Sequence, residues 1–96
     1  MTDDTEITEE QFTRAIPASV RRRLMDGAFD TPDDIRALRV FVGLTQRELA
    51  QAMGISVHTL RNWEQGRRHP EGPALALLRI AARHPHIIRE QLRRAA

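Results

Sequence analysis

Between Ser56 and Gly66 the chain carries His58, Thr59, Arg61 and Asn62, short or fork-shaped hydrogen-bonding side chains able to meet base edges or phosphates in a major groove. They are what remains after the apolar phase is assigned: Leu60 and Trp63 lie three apart and face a core, while Val57 flanks the start of the same helix. A merely solvated face would more often carry Glu and Lys. Just beyond, RRHPEG places Arg67 and Arg68 in an exposed loop, punctuated by Pro70, Gly72 and Pro73, that can lie along a nucleic-acid strand with His69 neutral or assisting.

Two short helices with a tight turn must position these groups. Thr45 is an N-cap and Glu48, three residues on, completes a capping box before Leu49, Ala50 and Met53. Gly54 ends that helix, Ile55 turns inward, and Ser56 caps the next, which runs from Val57 to about Gln65 and is closed by Gly66. A glycine-containing turn between two such helices describes a helix-turn-helix, although a plain αα-hairpin shares the caps and spacing.

Gln46, Glu48, Leu49, Ala50, Gly54, Ile55, Ser56, Leu60, Trp63, Glu64 and Gly66 resemble the motif of the Cro/C1-type (XRE) helix-turn-helix family, over about Asp34 to His84. The resemblance implies an all-α fold: a compact five-helix lambda-repressor-like DNA-binding domain, usually dimeric on double-stranded operator DNA. It implies further that Gln46 contacts the DNA backbone at a helix start, that Val57, His58 and Asn62 face base edges, and that Arg67 approaches phosphate. With the residue-level reading, the base-reading set is Val57, His58, Thr59 and Asn62, and the backbone set is Gln46, Arg61, Arg67 and Arg68.

Ninety-six residues suffice for one domain with a modest core. The net charge of +2 hides an asymmetry: residues 1–34 hold nine acids against four arginines, residues 35–96 eleven arginines against four acids. All basic residues are arginine, which suits bidentate contacts to phosphate or guanine and equally reflects GC-rich coding. There is no cysteine, and the four histidines make no convincing ligand set, so no metal and no cofactor is expected. The chain has no apolar signal segment and no apolar run long enough to span a bilayer, so no membrane partner is expected and the location is cytoplasmic. No phosphate-cradling glycine loop, carboxylate pair or activated nucleophile suggests an enzyme, and Glu64 reads as a structural hydrogen-bonding residue rather than a general base.

Residues 1–30 are expected to form an acidic, partly disordered N-terminal arm with a possible short helix, and residues 31–96 the helix-turn-helix domain. Phe12, Ile16, Val20 and Leu24 recur every four residues, with Pro17 a suitable first helical residue. They make either an extra helix packed on the domain or an arm that folds against a partner. Thr31 caps the next helix, with Pro32 first and Asp33 and Asp34 near its positive end; Ile35, Leu38 and Phe41 or Val42 face the core before Gly43. From Pro73, Ala74, Leu75, Leu77, Leu78, Ile80 and Ala81 form a stripe wide enough for burial on more than one side. A last helix, about His86 to Arg94, offers Ile87, Ile88 and Leu92 for dimerisation or for intrachain packing.

The wording from the N-terminal arm through GLTQRELAQAMGIS, TLRNWEQGRRHPEGPA and LLRIAARHP further resembles the small HigA-type (NadS-like) antitoxins of type II toxin–antitoxin systems. That resemblance implies an antitoxin that binds a RelE-like mRNA-cleaving toxin and represses its own operon. Phe12, Ile16, Val20 and Leu24 are the toxin-binding residues expected if the arm does the neutralising; the folded domain is the other possibility. A small XRE-type regulator without a toxin is the alternative function.

Overall fold

Local chemistry decides where each helix starts and stops. The computed structural model describes residues 16–95, in which the secondary structure is α-helical: α1 (Ala18–Met25), α2 (Pro32–Val42), α3 (Gln46–Met53), α4 (Val57–Glu64), α5 (Pro73–Arg83) and α6 (Pro85–Ala95). At α3 the capping box is complete: Thr45 N donates to Glu48 Oε1 at 2.9 Å and Glu48 N to Thr45 Oγ1 at 3.1 Å. Ser56 Oγ accepts from Thr59 N at 3.0 Å and starts α4.

The turn between α3 and α4 depends on Gly54, whose φ of 72° is left-handed, while Ile55 N donates back to Ala50 O at 3.0 Å. Gly66, at φ 77°, is held to glycine twice over, because an added Cβ would also lie 3.0 Å from Pro32 Cγ. The chain leaving α4 is thereby pressed against the start of α2.

One start differs from expectation: Pro17 is the N-cap of α1 instead of its first residue. At α2 Thr31 is the N-cap with Pro32 first, as expected, in a capping box with Asp34, whose Oδ2 gathers the free donors: Asp30 N at 2.9 Å, Thr31 N at 2.9 Å and Thr31 Oγ1 at 3.2 Å. A carboxylate has the lone pairs for several donors that a hydroxyl lacks.

The helices share one core. Leu38 and Val42 of α2, Leu49 of α3, Leu60 and Trp63 of α4, Leu78 and Ala82 of α5 and Ile88 of α6 form a single buried cluster, to which α1 adds Leu24. α1 packs on α2 and α5, and α6 on α3, α2 and α5. Overall extents of 30 × 29 × 28 Å leave no described helix projecting. The result is the lambda-repressor-like arrangement of five helices, α2 to α6, with α1 as an extra helix docked on it. The stripe on α5 is narrower in its burial than its composition suggests, for Leu77 and Ile80 are 40% and 44% exposed.

Candidate nucleic-acid interface

Burial of Leu60 and Trp63 sets the rotation of α4. Its opposite edge then presents His58 to solvent, with Thr59 and Asn62 half-buried beside it and Val57 half-buried against the core. The Thr59 hydroxyl lies 2.9 Å from Ser56 Oγ, so its rotamer is tied to the cap. His58 and Asn62 have no side-chain hydrogen bond among the described residues, which leaves both available to an external partner.

Behind this edge, the hub of the interface is a buried polar cluster. Glu64, 4% exposed, accepts from Arg39 at both carboxylate oxygens, Nε to Oε2 at 2.8 Å and Nη2 to Oε1 at 3.2 Å. Arg39 Nη1 also donates to Leu44 O at 3.4 Å. Gln46 Nε2 donates to Glu64 Oε1 at 3.2 Å, Arg61 Nε donates to Gln46 Oε1 at 3.2 Å, and Arg36 Nε lies 3.8 Å from Glu64 Oε1. Among the described residues no buried side-chain nitrogen or oxygen lacks a partner. Such a cluster ties α2, α3 and α4 together at fixed distances, since removing one member of a buried pair strands the other charge at a cost of about 3–5 kcal/mol.

Two of the residues expected to contact the DNA backbone are thus engaged internally. The Gln46 side chain is buried with both ends of its amide occupied, because it lies between Glu64 and Arg61; what it can offer a phosphate is its backbone N–H at the start of α3. Arg61 is half-buried on the same chain of bonds. Arg67 and Arg68 differ, being exposed and making no side-chain hydrogen bond or ion pair among the described residues. Their backbone is nonetheless fixed, for Arg67 N and Arg68 N both donate to Asn62 O, at 2.9 and 3.4 Å. The loop folds back along α4 and leaves a cleft of about 360 Å³ lined by His58, Thr59, Asn62, Trp63, Arg68 and His69.

Sequence reasoning missed Arg39 and Asp34 as buried polar groups. The signal for Arg39 was its spacing, four residues after the core position Ile35, which placed a guanidinium on an apolar face and called for a buried acid.

The remaining site residues separate by burial. Of the expected toxin contacts, Phe12 lies outside the described residues; Ile16 is buried, Val20 half-buried and Leu24 fully buried. Leu24 is therefore not an outward-facing anchor in this conformation, because its face of α1 packs on α2 and α5. Arg83 Nε and Arg79 Nε reinforce that docking by donating to Met25 O at 2.8 Å and Gly27 O at 3.3 Å. Of the expected dimer contacts, Ile88 is buried in the chain's own core and Leu92 half-buried against it, while Ile87 is 44% exposed. Ile87 borders a groove of about 460 Å³ whose walls include Met53, Leu77 and Ile80 and no charged side chain.

Among the described residues no group of three or more His, Asp or Glu side chains is placed to hold a metal ion, and no helix is long and apolar enough to cross a membrane.

The chain is 38% identical over 58 residues to Antitoxin HigA-2 of Vibrio cholerae, covering 60% of this chain and 56% of that protein. It is 30% identical over 59 residues to Antitoxin MqsA of Escherichia coli, covering 62% of this chain and 45% of that one. It thus spans about half the length of the curated relatives it matches. No solved structure matches it significantly. The family model described as the antitoxin component of bacterial toxin–antitoxin systems, MqsA, matches residues 2–93. Spanning nearly the whole chain, that match joins the capped helix-turn-helix and its buried hub to a family of antitoxin components rather than catalysts: the chain belongs to the MqsA-type antitoxin family.

Proposed function

We propose that the protein neutralises a RelE-like mRNA-cleaving toxin and represses its own operon in the cytoplasm, binding double-stranded operator DNA as a homodimer. One observation carries the DNA-binding part: His58 and Asn62 on the polar edge of α4 make no side-chain hydrogen bond among the described residues, while the opposite side of the same helix is fixed by Glu64 and Arg39. Val57, His58, Thr59 and Asn62 read bases, Val57 through a thymine methyl and the others through hydrogen bonds. The Gln46 backbone, Arg61, Arg67 and Arg68 hold phosphates. Two copies present two α4 helices about one helical turn apart, roughly 34–36 Å, with Ile87 and Leu92 at the contact and Ile88 supporting them from within.

The toxin is met by the segment from Thr5 to Phe29. Its apolar residues divide the work: Leu24 anchors α1 on the domain, and Phe12, Ile16 and Val20 meet the toxin, Ile16 and Val20 by leaving their present buried and half-buried settings. The acids among its first residues suit a basic RNA-cleaving partner. Coexpression with the product of the neighbouring gene, followed by binding of the copurified complex to DNA upstream of the pair, tests both halves. A copurifying small basic protein and a retarded operator fragment are expected. Operator binding with no copurifying partner would leave a small XRE-type transcription regulator.

A further inference from the structure

The cleft beside α4 differs from the rest of the proposed DNA-binding surface in being concave and in holding donors from two separate elements. Its walls are His58, Thr59, Asn62 and Trp63 from α4 and Arg68 and His69 from the loop. No carboxylate lines it. Glu64, on the same helix, faces the buried Arg39 and Gln46; Glu71, two residues after His69, and the cations Arg61 and Arg67 are also outside the lining. An anion is the ligand such a set selects.

The loop side of the cleft is stiffened in two ways. The N–H groups of Arg67 and Arg68 are tied to Asn62 O. His69 immediately precedes Pro70, which restricts its backbone to extended conformations and so limits where the imidazole can point. Its ring makes no hydrogen bond or ion pair among the described residues, so both ring nitrogens are open to whatever enters the cleft.

We propose that this cleft seats one phosphodiester of the operator backbone between Arg68 and His69, and that His69 takes up a proton when it does, so that DNA affinity rises as pH falls through the imidazole range. The proposal rests on the DNA-binding reading above and adds a site and a proton to it. The sign follows from linkage: a phosphate favours the imidazolium over the imidazole, so the complex binds more protons than the free components and acid tightens it. The contact is to backbone, so the effect is the same for operator and scrambled duplex. His58, on the opposite wall, stays with the base edges.

The test is duplex affinity of the full chain between about pH 8 and about pH 6, the interval over which imidazoles gain their proton, at several salt concentrations. The expected gain is about fivefold near 0.15 M salt, with the slope of log K against log salt steeper by about 0.9 at the acid end, one added phosphate contact. His69→Gln should flatten the pH profile and remove the extra slope, whereas His58→Gln should leave both in place. That contrast also sets aside His84, between α5 and α6, and His86, in the first turn of α6, which are unchanged in both variants. A profile flat in the wild type, or flattened by His58→Gln alone, overturns the proposal while leaving DNA binding intact; absence of duplex binding at every pH overturns the DNA-binding reading and the proposal together. Inorganic phosphate, titrated against chloride at matched ionic strength, is the second arm. A His69 imidazole resonance that responds to it, without pH-linked duplex affinity, would make the cleft a free-anion site and overturn the backbone assignment.

Discussion

Two buried carboxylates hold this protein together, and they do it on different scales. Glu64 takes its partners from across the chain: Arg39 is 25 residues away and Gln46 is 18 away, so the carboxylate binds three helices into one piece. Asp34 takes three of its four donors from Asp30 and Thr31 and only the fourth, Arg23 Nη2 at 3.1 Å, from α1. One is a tertiary hub beneath the polar edge of α4; the other is a helix cap with a single tie to the N-terminal helix. The difference implies that the helix-turn-helix cannot loosen without unfolding, whereas α1 is attached by Leu24 and by peripheral bonds that can be altered one at a time.

The hub supplies the largest expected effect. Glu64→Ala strands the Arg39 guanidinium in the core and should cost about 3–5 kcal/mol, measured as a fall in the urea midpoint at constant m. In a domain whose whole stability is of order 5–15 kcal/mol, that brings unfolding close to working temperature and takes DNA binding with it. Arg39→Met with Glu64→Leu together should recover most of the loss, since an apolar pair leaves no stranded charge. A cost below about 1 kcal/mol for Glu64→Ala would mean that water reaches the pair and that the hub is no hub.

The N-terminal attachment comes next. Leu24→Ala removes a fully buried side chain and should cost about 2–5 kcal/mol if the site cannot collapse. Asp34→Ala, leaving Asp30 and Thr31 donors unpaired in a part-buried setting, should cost about 1–3 kcal/mol. Hydrogen exchange distinguishes these from the hub variant: protection should fall first in α1 and least in α3 and α4. A uniform fall through all six helices would show α1 to be as integral as α4, and the proposed division of labour would fail.

How far the amino-acid order alone anticipated this depends on the range of the interaction. Caps and turn glycines are decided within four residues, and Thr45 with Glu48, Ser56 with Thr59, and Gly54 appear in the structure as expected. The phase of α4 follows in part: with Leu60 and Trp63 buried, His58 and Asn62 lack internal side-chain bonds, whereas Thr59 is tied to Ser56 and Arg61 turns inward to Gln46. Long-range pairings were not decided in that way. Whether Leu24 faces a partner or its own domain depends on the cluster it joins with Leu38 and Leu78, which no local period reveals. For α5, an apolar stripe states which residues would gain from burial, not whether a neighbour covers them, and Leu77 and Ile80 remain uncovered. Gln46 shows a third limit: the family resemblance implied an outward contact, but the amide is held between Glu64 and Arg61.

At the polar edge of α4 itself, Asn62→Ala should leave the fold untouched, as no described side-chain bond is lost. If Asn62 makes a bidentate base contact, about 1–3 kcal/mol of discrimination between operator and scrambled duplex should disappear, with little change on scrambled DNA. Equal losses on both would place Asn62 among the backbone contacts instead.

The smallest effect separates two kinds of arginine. Arg89 Nε donates to Val42 O at 2.6 Å and so satisfies a carbonyl at the end of α2, much as Arg79 and Arg83 do for α1. Arg67 has no such partner among the described residues and stands beside the α4 edge. Both carry one charge, so net charge cannot tell them apart. Arg67→Gln should leave the thermal midpoint unchanged and lower the slope of log K against log salt by about 0.9, roughly fivefold in affinity near 0.15 M salt. Arg89→Gln should do the reverse, lowering the thermal midpoint by removing a charge-assisted bond while the salt slope stays within error of the wild type. If both variants shift the salt slope equally, the duplex senses the summed positive field of the domain, and the loop arginines have no privileged place on its backbone.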